Sequence, residues 1–502
     1  MSEPATAADQ APEGQDAVLS EGEAVRAHDP EYPEKLLEFM RTGWRDTPLH
    51  VTPRPEAPHY AARRAALSAA FPGETLVIPT GREKVRANDT AHRFRPGSDF
   101  VWLTGEHDPD SVLIMRPDGS GHDATLYVRP RSPRDTDEFF RDARYGELWI
   151  GRRHTLAEKA AALGVPTAPH ADLARALADC APARTRVLRH LDRTVDAAVA
   201  PYDDEAAGTR DRDLARTIAE LKLVKDPWEI TQLRAAVDAT VRGFEDVVRV
   251  LPADRPVSER LLEGVFGLRA RHDGNDVGYS SIVGAGPNAT ILHWISNHGT
   301  VTPGRLLLMD MGVEGHHLYT ADVTRTLPVS GAFSAGQRLV YDIVAAAQQA
   351  GVDAVKPGIR WEDLALTINR VLAEGLAELG LLPVSVDEAL DKQSTVYRRW
   401  TLHSFGHMLG IDVHDCAYAR KEKYREGTIE EGYAFTVEPG LYFQTDDELV
   451  PGELRGIGIR IEDDVWCTAE GAVNLSGALP RQADEVEAWL AAQRAAGPRL
   501  PG

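Results

Sequence analysis

Four carboxylates lie inside otherwise apolar segments in the second half of this 502-residue chain. The four acids are Asp310, Asp322, Glu438 and Glu462, and each segment has the composition of a buried strand. A carboxylate among apolar side chains costs several kcal/mol unless it is paired with a cation or coordinates a metal ion. Separate partners would require four cations in one half of the chain. One shared cluster of cations is the simpler hypothesis, and it constrains the fold to bring these four segments together.

Three histidines within twelve residues offer a second kind of ligand. His403, His407 and His414 lie four and seven residues apart in a segment that also holds apolar residues and glycines. Because the chain has 17 histidines, an isolated one says little, and we read His316 and His317 as loop residues. Three histidines beside four buried acids favour a metal site over histidines that only fill a core.

The charge of the chain excludes some classes of partner. It has 56 Lys and Arg residues against 77 Asp and Glu residues, which gives a formal net charge of −21. Nucleic-acid backbones and anionic membranes both bind basic surfaces, so we expect no nucleic acid and no membrane as partner. The first 34 residues hold nine acids against one arginine and very few large apolar residues, which predicts a disordered tail.

Cysteine usage and hydropathy indicate a compartment. Cys180, Cys416 and Cys467 are widely spaced and odd in number, which argues against a disulfide framework or a thiolate metal site. No stretch approaches the roughly 20 apolar residues of a membrane helix. The N-terminus has no signal-peptide pattern. We therefore predict a cytoplasmic protein, where thiols stay reduced.

Helix and strand patterns alternate along the first part of the chain. A helix is predicted at 63–67, and strands are predicted at 75–79, 99–105, 111–115 and 124–128. This alternation predicts an α/β domain that ends near residues 195–215. The stretch 203–213, which contains Asp and Gly, is the expected connector.

A second domain begins with a well-marked helix. Asp226 is a suitable N-cap, Pro227 stands at the first helical position, and Glu229 follows three residues after the cap. Two more helices are predicted within 335–381, separated by the Lys-Pro-Gly sequence at 356–358.

The segments around the buried acids resemble those of a known family. Gly406-His407 and the segments 436–440 and 460–463 are similar to sequence blocks of the pita-bread metallopeptidases, the family of methionine aminopeptidase, prolidase and aminopeptidase P. The resemblance covers residues 215–482 and implies an α+β pita-bread catalytic domain. It implies two divalent metal ions, bridged by Asp322 and Glu462 and held by five residues, namely Asp310, Asp322, His407, Glu438 and Glu462. Such hard donors favour Mn²⁺, with Co²⁺ or Zn²⁺ as alternatives.

Residues 61–200 resemble the N-terminal domain of aminopeptidase P. The similarity is carried by Arg63-Arg64, Ser98-Asp99-Phe100, Leu103-Thr104-Gly105 and the segment 149–153. The implied organisation is an acidic tail at 1–34, an α/β N-terminal domain at 35–214, the catalytic domain at 215–482, and a C-terminal helix and tail at 483–502. Two departures from the family pattern predict a lengthened hairpin between Asp310 and Asp322 and an insertion at 382–399.

The resemblance implies an Xaa-Pro aminopeptidase, which releases the N-terminal residue from peptides with proline in the second position. The nucleophile would be a hydroxide that bridges the two metal ions. Glu438 would transfer a proton to the leaving nitrogen, and the resemblance places His293, His403 and His414 in the active site. Arg460 alternates with Glu462, so the two share a strand face and can pair, and Arg460 either balances that acid or contacts substrate. The predicted proline pocket consists of Tyr279, Leu292, His293 and His414.

Other readings of the same resemblance stay open. A prolidase would cleave only Xaa-Pro dipeptides. A non-catalytic pita-bread protein would bind peptides without hydrolysing them, and a creatinase-like hydrolase would use no metal. The complete set of five ligands disfavours the last two. By resemblance we also expect a homodimer or homotetramer, in which the small domain of one chain borders the active site of another.

Overall fold

A computed structural model describes residues 32–88, 90–199 and 205–501 of the chain, with side chains of the helix at 205–221 described from residue 208. The first 31 residues, which make up most of the predicted acidic tail, lie outside the described residues. We call residues 32–199 the N-terminal part and residues 205–501 the C-terminal part. Within the described ranges, no helix combines the length and the hydropathy that a membrane crossing requires.

The N-terminal part is built on one mixed sheet. The strands of this part are β1 Thr75–Pro79, β2 Val85–Ala87, β3 Thr90–Ala91, β4 Val112–Pro117, β5 His122–Val128, β6 Thr167–Pro169 and β7 Thr185–Val187, of which β2 and β3 pair only with each other. Its helices are α1 Glu34–Met40, α2 Ala57–Ala70, α3 Ser98–Thr104, α4 Asp137–Arg141, α5 Glu147–Ile150, α6 Leu156–Leu163, α7 Leu173–Ala178 and α8 Arg193–Ala198. The five-stranded sheet has the order β6-β5-β4-β1-β7, antiparallel in its centre and parallel at both edges.

Most helices and strands predicted for the N-terminal part are confirmed, but one predicted strand is wrong. The helix at 63–67 lies in α2, and β1, β4 and β5 are the strands predicted at 75–79, 111–115 and 124–128. The predicted strand at 99–105 is instead helix α3, which ends at Gly105 in the left-handed conformation with φ 67°. Phe100 to Thr104 are all buried. A short helix that is buried on all sides has the same apolar composition as a buried strand. The apolar run at 100–103 therefore predicted a strand where the chain forms a helix.

The expected connector at 203–213 is also helical from residue 205 onward. Helix α9 spans Glu205–Leu221, whereas residues 203 and 204 lie outside the described residues. Asp211, Leu214 and Ile218 are buried at three- and four-residue spacing, and the carboxylate of Asp211 accepts a hydrogen bond from Arg189 at 2.7 Å. The sequence did not reveal this helix because its buried face includes the acid Asp211, which looks like one more surface residue among charged neighbours.

The C-terminal part has short antiparallel sheets surrounded by long helices. Its remaining helices are α10 Pro227–Val250, α11 Glu259–Asp273, α12 Ala335–Ala354, α13 Trp361–Glu378, α14 Val386–Leu390 and α15 Ala483–Ala496. Its strands are β8 Val257–Ser258, β9 Asp276–Val277, β10 Ile282–Ala285, β11 Thr300–Val301, β12 Leu306–Met311, β13 Val313–Glu314, β14 Val323–Pro328, β15 Ala434–Val437, β16 Gly440–Tyr442, β17 Gly458–Arg460, β18 Asp463–Thr468 and β19 Gly471–Asn474. The two largest sheets have the orders β10-β12-β14 and β15-β18-β19.

The helix signals of the C-terminal part are confirmed. Helix α10 begins at Pro227 with a reciprocal cap, in which the side chains of Asp226 and Glu229 each accept the backbone N–H of the other residue at 2.9 Å. Such a cap satisfies two of the free N–H groups at a helix start. Helices α12 and α13 occupy the region predicted to hold two helices, and the Lys-Pro-Gly sequence at 356–358 lies between them.

The chain between β12 and β14 forms an arm that contacts two other segments. Strand β13 pairs with β9, and His316 and His317 lie in a turn of the arm, as predicted. The hydroxyl of Tyr319 donates to Glu229 at 2.8 Å, and the backbone N–H of Thr320 donates to Gly410 at 2.9 Å. The arm therefore links the start of α10 to the segment that carries the predicted histidines. The segment 382–399 forms α14 and a 3₁₀ turn at Val396–Arg399.

One apolar core joins the N-terminal and C-terminal parts. Leu67, Phe100 and Leu103 belong to the same buried cluster as Leu233 and Ile411. The two parts therefore bury apolar surface against each other, which is the main favourable contribution to their association.

Candidate metal centre

Strand pairing brings the four predicted carboxylates together. Asp310 lies in β12, directly across the ladder from Thr324 of β14, and Asp322 immediately precedes β14. Glu462 forms an isolated antiparallel bridge with Thr324, while Glu438 follows β15, which pairs with β18. Asp310, Asp322 and Glu462 are buried and Glu438 is half-buried. The sheet register, more than sequence proximity, assembles this group.

The histidine segment runs beside β15. Thr436 and His407 exchange hydrogen bonds, since the N–H of Thr436 donates to the His407 carbonyl at 2.9 Å and the N–H of His407 donates to the Thr436 hydroxyl at 3.1 Å. A Cβ at Gly406 would lie 2.0 Å from the carbonyl oxygen of Thr436, so only glycine permits this approach. The ring nitrogen Nε2 of His407 is consequently 3.2 Å from Asp322 and 3.6 Å from Glu438.

These side chains line one cavity of about 420 Å³, which we call the metal cavity. Every predicted metal ligand contributes to its wall, and so do Leu292, His293, His403, His414 and Arg460. Ligand atoms converge within 4.8 Å in three overlapping groups. The groups are Asp310, Asp322 and Glu462; His407, Glu438 and Glu462; and Asp322, His407 and His414.

Arg460 pairs with a different acid from the one expected. Its guanidinium donates to Asp310 at 2.5 Å, to the Thr324 hydroxyl at 3.1 Å and to the Tyr442 hydroxyl at 2.9 Å. The predicted partner, Glu462, instead accepts a hydrogen bond from Thr324 at 2.6 Å. Alternation along a strand predicts the face that a side chain occupies, but the pairing of neighbouring strands decides which partner it reaches.

The metal cavity holds more negative charge than the protein itself balances. Burial raises the pKa of Asp310 to about 7, although the charge of Arg460 opposes the rise. Burial and the charges of Asp322 and Glu438 raise the pKa of Glu462 well above its usual range. Burial thus disfavours the ionised form of both acids, and the charges of neighbouring carboxylates add repulsion. The donors are mostly oxygens, as hard divalent cations prefer, and such cations would stabilise the ionised forms.

The other two predicted ligands are shifted toward their charged forms. For Glu438, burial acts to raise the pKa, but the hydrogen bond and charge of His403 outweigh it and lower the pKa to about 2. For His407, burial acts to lower the pKa, but the hydrogen bond to Asp322 and the charge of Glu438 raise it to about 9. In the protein alone, the imidazolium of His407 thus compensates part of the acidic charge.

The non-ligand histidines occupy different positions around the metal cavity. His293 and His414 are exposed at its wall, and the rings of His414 and His407 are 4.2 Å apart between centroids. Burial and the charge of His407 lower the pKa of His414. His403 is held by a hydrogen bond with Tyr442, in which the tyrosine hydroxyl is 2.8 Å from Nε2 of the histidine.

Two of the predicted pocket residues meet the site in different ways. Leu292 lines the metal cavity beside His293. Tyr279 reaches the carboxylates through its hydroxyl, which lies 2.6 Å from Asp310 and 2.5 Å from Asp322. Burial, followed by the charges of these two acids, raises the pKa of Tyr279 well above its usual range, so the hydroxyl keeps its proton and donates it.

Sequence reasoning missed several residues that hold the predicted ligands in place. Thr324 contacts Glu462 and Arg460, and the hydroxyl of Tyr442 contacts Arg460 and His403. Both carried a usable signal, because Thr324 lies two residues after Asp322, and Tyr442 lies four residues after Glu438. At even spacing, side chains share one face of an extended segment. The buried carboxylate of Asp464, which accepts the N–H of Asp322 at 3.2 Å, had no such signal.

Two family descriptions match separate regions of the chain. The description "Aminopeptidase P, N-terminal domain" matches residues 60–188. The description "Metallopeptidase family M24" matches residues 231–469, which include all five predicted metal ligands. The expected fold class, an α/β N-terminal domain followed by a pita-bread catalytic domain, is therefore confirmed.

Individual relatives match over most of their length. Xaa-Pro aminopeptidase 1 of Streptomyces coelicolor is 53% identical over 460 residues, which cover 91% of this chain and 92% of that protein. The Xaa-Pro aminopeptidase of Escherichia coli is 32% identical over 456 residues, 86% of this chain and 97% of that protein. The solved structure of E. coli aminopeptidase P with the inhibitor Pro-Leu matches with a TM-score of 0.77 at 30% identity, covering 88% of this chain and 100% of that one. The chain thus belongs to the Xaa-Pro aminopeptidases of metallopeptidase family M24.

Proposed function

We propose that this protein releases the N-terminal residue from peptides with proline in the second position. The observation that carries the proposal is the metal cavity, where five acidic and histidine ligands from distant segments converge with His293 and His414 at the wall. The similarity to Xaa-Pro aminopeptidase 1 of S. coelicolor, at 53% identity, supports the substrate class.

The donor set fits two divalent metal ions. Asp322 and Glu462 would each serve both ions, because each of these carboxylates shares one ligand group with Asp310 and another with His407. Asp310 would complete one site, and His407 and Glu438 the other. Bound there, two such ions supply Lewis acidity and a water molecule of lowered pKa. We propose Mn²⁺ as the native ion because four of the five donors are carboxylates, while a solved E. coli relative is described as zinc-substituted.

The remaining residues of the metal cavity orient groups and move protons. Glu438 transfers a proton toward the leaving nitrogen of the proline residue. His293 and His414 donate hydrogen bonds to the scissile carbonyl oxygen as it gains negative charge. Arg460 holds Asp310, and through the hydroxyl of Tyr442 it is also linked to His403, which flanks Glu438 at 3.4 Å.

Peptides of two lengths distinguish this activity from that of a prolidase. The full chain, supplied with Mn²⁺, is expected to release alanine from Ala-Pro-Ala and to leave Ala-Ala-Ala intact. Cleavage of Ala-Pro without cleavage of Ala-Pro-Ala would identify a prolidase instead. A protein that binds Mn²⁺ but cleaves none of the three peptides would be a non-catalytic peptide-binding relative.

The proline pocket is proposed from Leu292, His293, His414 and Tyr279. The aliphatic and ring faces of the first three line the metal cavity and suit a pyrrolidine ring. Leu292→Ala should raise KM for Ala-Pro-Ala, whereas Leu366→Ala, a change at an exposed leucine of α13, should leave KM unchanged. Comparing Tyr279→Phe with Tyr279→Ala separates the hydroxyl contact from the ring. Unchanged turnover in both Leu292→Ala and Tyr279→Ala would rule out this pocket.

Domain limits, assembly and compartment complete the proposal. We keep 35–214 and 215–482 as the domain limits, so that helix α9 crosses the boundary and links the two domains. We expect a homodimer or homotetramer, which light scattering of the purified protein would measure. The three cysteines are all free and buried, in keeping with a reducing, cytoplasmic compartment.

A further inference from the structure

The segment that carries His414 enters a second group of buried charges. Asp415 directly follows His414, and its carboxylate is 2.8 Å from the ammonium of Lys222 and 3.0 Å from that of Lys225. Lys222 also pairs with Asp99 of the N-terminal part at 2.9 Å. We call Asp99, Lys222, Lys225 and Asp415 the lysine–aspartate cluster. Its two acids and two bases cancel in charge.

Two more residues of the N-terminal part, Ser98 and Arg95, form hydrogen bonds with the same segment. The hydroxyl of Ser98 donates to the carboxylate of Asp412 at 2.5 Å. The guanidinium of Arg95 donates to the backbone carbonyl of Ile411 at 2.7 Å and to Glu314 at 2.6 Å. Ser98 and Asp99 belong to the Ser-Asp-Phe motif noted in the sequence, for which the catalytic chemistry provides no role.

The backbone between His407 and His414 closes around the carboxylate of Asp415. The N–H of Asp415 donates to the Met408 carbonyl at 2.9 Å. A Cβ at Gly410 would lie 1.9 Å from the carboxylate, so glycine leaves the space that this carboxylate occupies. Cys416 then adopts the left-handed conformation, with φ 59°, which is costly for a residue other than glycine. A strained backbone of this kind persists only where its surroundings hold it.

We infer that the lysine–aspartate cluster positions His414 for catalysis, and that the N-terminal part takes part in the reaction through Asp99 and Lys222. The inference rests on the proposed function, in which His414 contacts the substrate. Asp415 contributes to the wall of the metal cavity, but its carboxylate is buried and paired with Lys222 and Lys225, so it acts as a positioning residue, and so does Asp99, which lies outside that wall. They fix the backbone that carries His414, whose ring lies against that of His407.

Kinetics of single and double variants test the inference. Asp415→Asn is expected to lower kcat for Ala-Pro-Ala by about 10- to 100-fold, as expected for a small displacement of a catalytic group, with KM and metal content unchanged. Asp99→Asn, which removes one partner of Lys222, should give a smaller loss. In a His414→Ala background, neither change should lower kcat further, because both act through His414.

A matched control separates positioning from stability. Asp246 is equally buried and also has two basic partners, Arg269 and Arg499, each at 2.7 Å, and it is not among the residues that line the metal cavity. Asp246→Asn should destabilise the fold but leave kcat per folded molecule unchanged. An equal loss of kcat in Asp246→Asn, or further loss when Asp415→Asn is added to His414→Ala, would overturn the inference.

Hydrogen exchange gives a second readout that does not depend on activity. In Asp99→Asn and Asp415→Asn, amides of residues 408–416 should exchange faster than in the wild type, whereas Asp246→Asn should leave that segment protected. Unchanged exchange in the two cluster variants would contradict the inference even if the proposed function holds. Failure of the wild type to cleave Ala-Pro-Ala would refute the proposed function without altering the exchange result.

Discussion

The metal cavity and the lysine–aspartate cluster are two buried groups of charged residues that share one segment of chain. Both are assembled from residues far apart in sequence. In the metal cavity, four carboxylates face the guanidinium of Arg460 and the imidazole of His407. In the lysine–aspartate cluster, two carboxylates face two ammonium groups. His414 lies seven positions after His407, and its neighbour Asp415 belongs to the cluster.

The difference between the two lies in their charge balance. In the lysine–aspartate cluster, burial acts to raise the pKa of Asp415, but the charges of Lys222 and Lys225 outweigh it and hold the pKa well below its usual range. Asp99, the other acid of the cluster, has its pKa raised by burial, although the charge of Lys222 opposes the rise. In the metal cavity, burial raises the pKa of Asp310 and of Glu462, while Glu438 beside His403 has a lowered pKa. The two groups therefore differ in their count of charges: two acids face two ammonium groups in the cluster, whereas four acids face one guanidinium and one imidazole in the metal cavity. A balanced group is complete as folded, whereas an excess of acid makes an added cation favourable. Charge balance thus distinguishes a structural cluster from a binding site.

The largest expected effect is on turnover. Glu462→Gln should lower kcat/KM for Ala-Pro-Ala by about 10³-fold or more, since a metal ion contributes several kcal/mol to catalysis. It should also lower the metal content measured by inductively coupled plasma mass spectrometry. Asp415→Asn should keep full metal content. Equal loss of metal in both variants would mean that the lysine–aspartate cluster also contributes to metal binding, contrary to the distinction drawn between the cluster and the metal cavity.

The next effect is on stability. Asp415→Asn should lower the free energy of unfolding by about 3–5 kcal/mol, because it leaves the ammonium groups of Lys222 and Lys225 buried with one carboxylate fewer. Urea unfolding followed by circular dichroism would measure the change. A loss below about 1 kcal/mol would mean that solvent reaches these ammonium groups, contrary to their burial.

The same kind of substitution in the metal cavity should have the opposite sign. In protein stripped of metal with EDTA at pH 8, Glu462→Gln should raise the free energy of unfolding by about 1 kcal/mol, since one of four neighbouring acids loses its charge. The glutamine oxygen can still accept the hydrogen bond of Thr324. Added Mn²⁺ should then stabilise the wild type more than the variant in thermal unfolding. Destabilisation of the stripped variant would indicate that the acids are already balanced.

The smallest effect concerns pH. Because the folded pKa of Asp415 is depressed, its contribution is fully present above the unfolded pKa of about 3.9 and is lost as the pH falls toward the folded value. The difference in unfolding free energy between wild type and Asp415→Asn should therefore be constant from about pH 5 to pH 8 and should shrink below about pH 4. Urea unfolding across this range measures it. A difference that changes between pH 6 and pH 7 would implicate a histidine instead.

The sequence predicted the metal cavity better than the lysine–aspartate cluster, for a physical reason. An acid in an apolar strand contradicts its surroundings, so Asp310 and Glu438 stand out without any knowledge of the fold. Lys222 lies between two leucines near the end of a helix and Asp415 follows a histidine, and a single charged residue in either setting is typical of a surface. Their pairing spans 193 positions, and only the folded chain brings them together.

Local signals were reliable where one element decides its own structure. The reciprocal cap of Asp226 and Glu229 fixed the start of α10 correctly, because both partners lie within one turn. Helix α3 was misread because its apolar residues are buried on every side by the rest of the molecule. Arg460 was assigned the wrong partner because its contact depends on how neighbouring strands pair.

The core shared by the two parts has a consequence for how such an enzyme could be shortened. A fragment that began at α10 would keep all five predicted ligands, yet it would present to water the apolar surface that Leu67, Phe100 and Leu103 cover around Leu233 and Ile411. Exposed apolar patches of this kind promote aggregation. Part of the apolar core beneath the histidine segment comes from the N-terminal part, so truncation or exchange of either part alone would leave that core open to water.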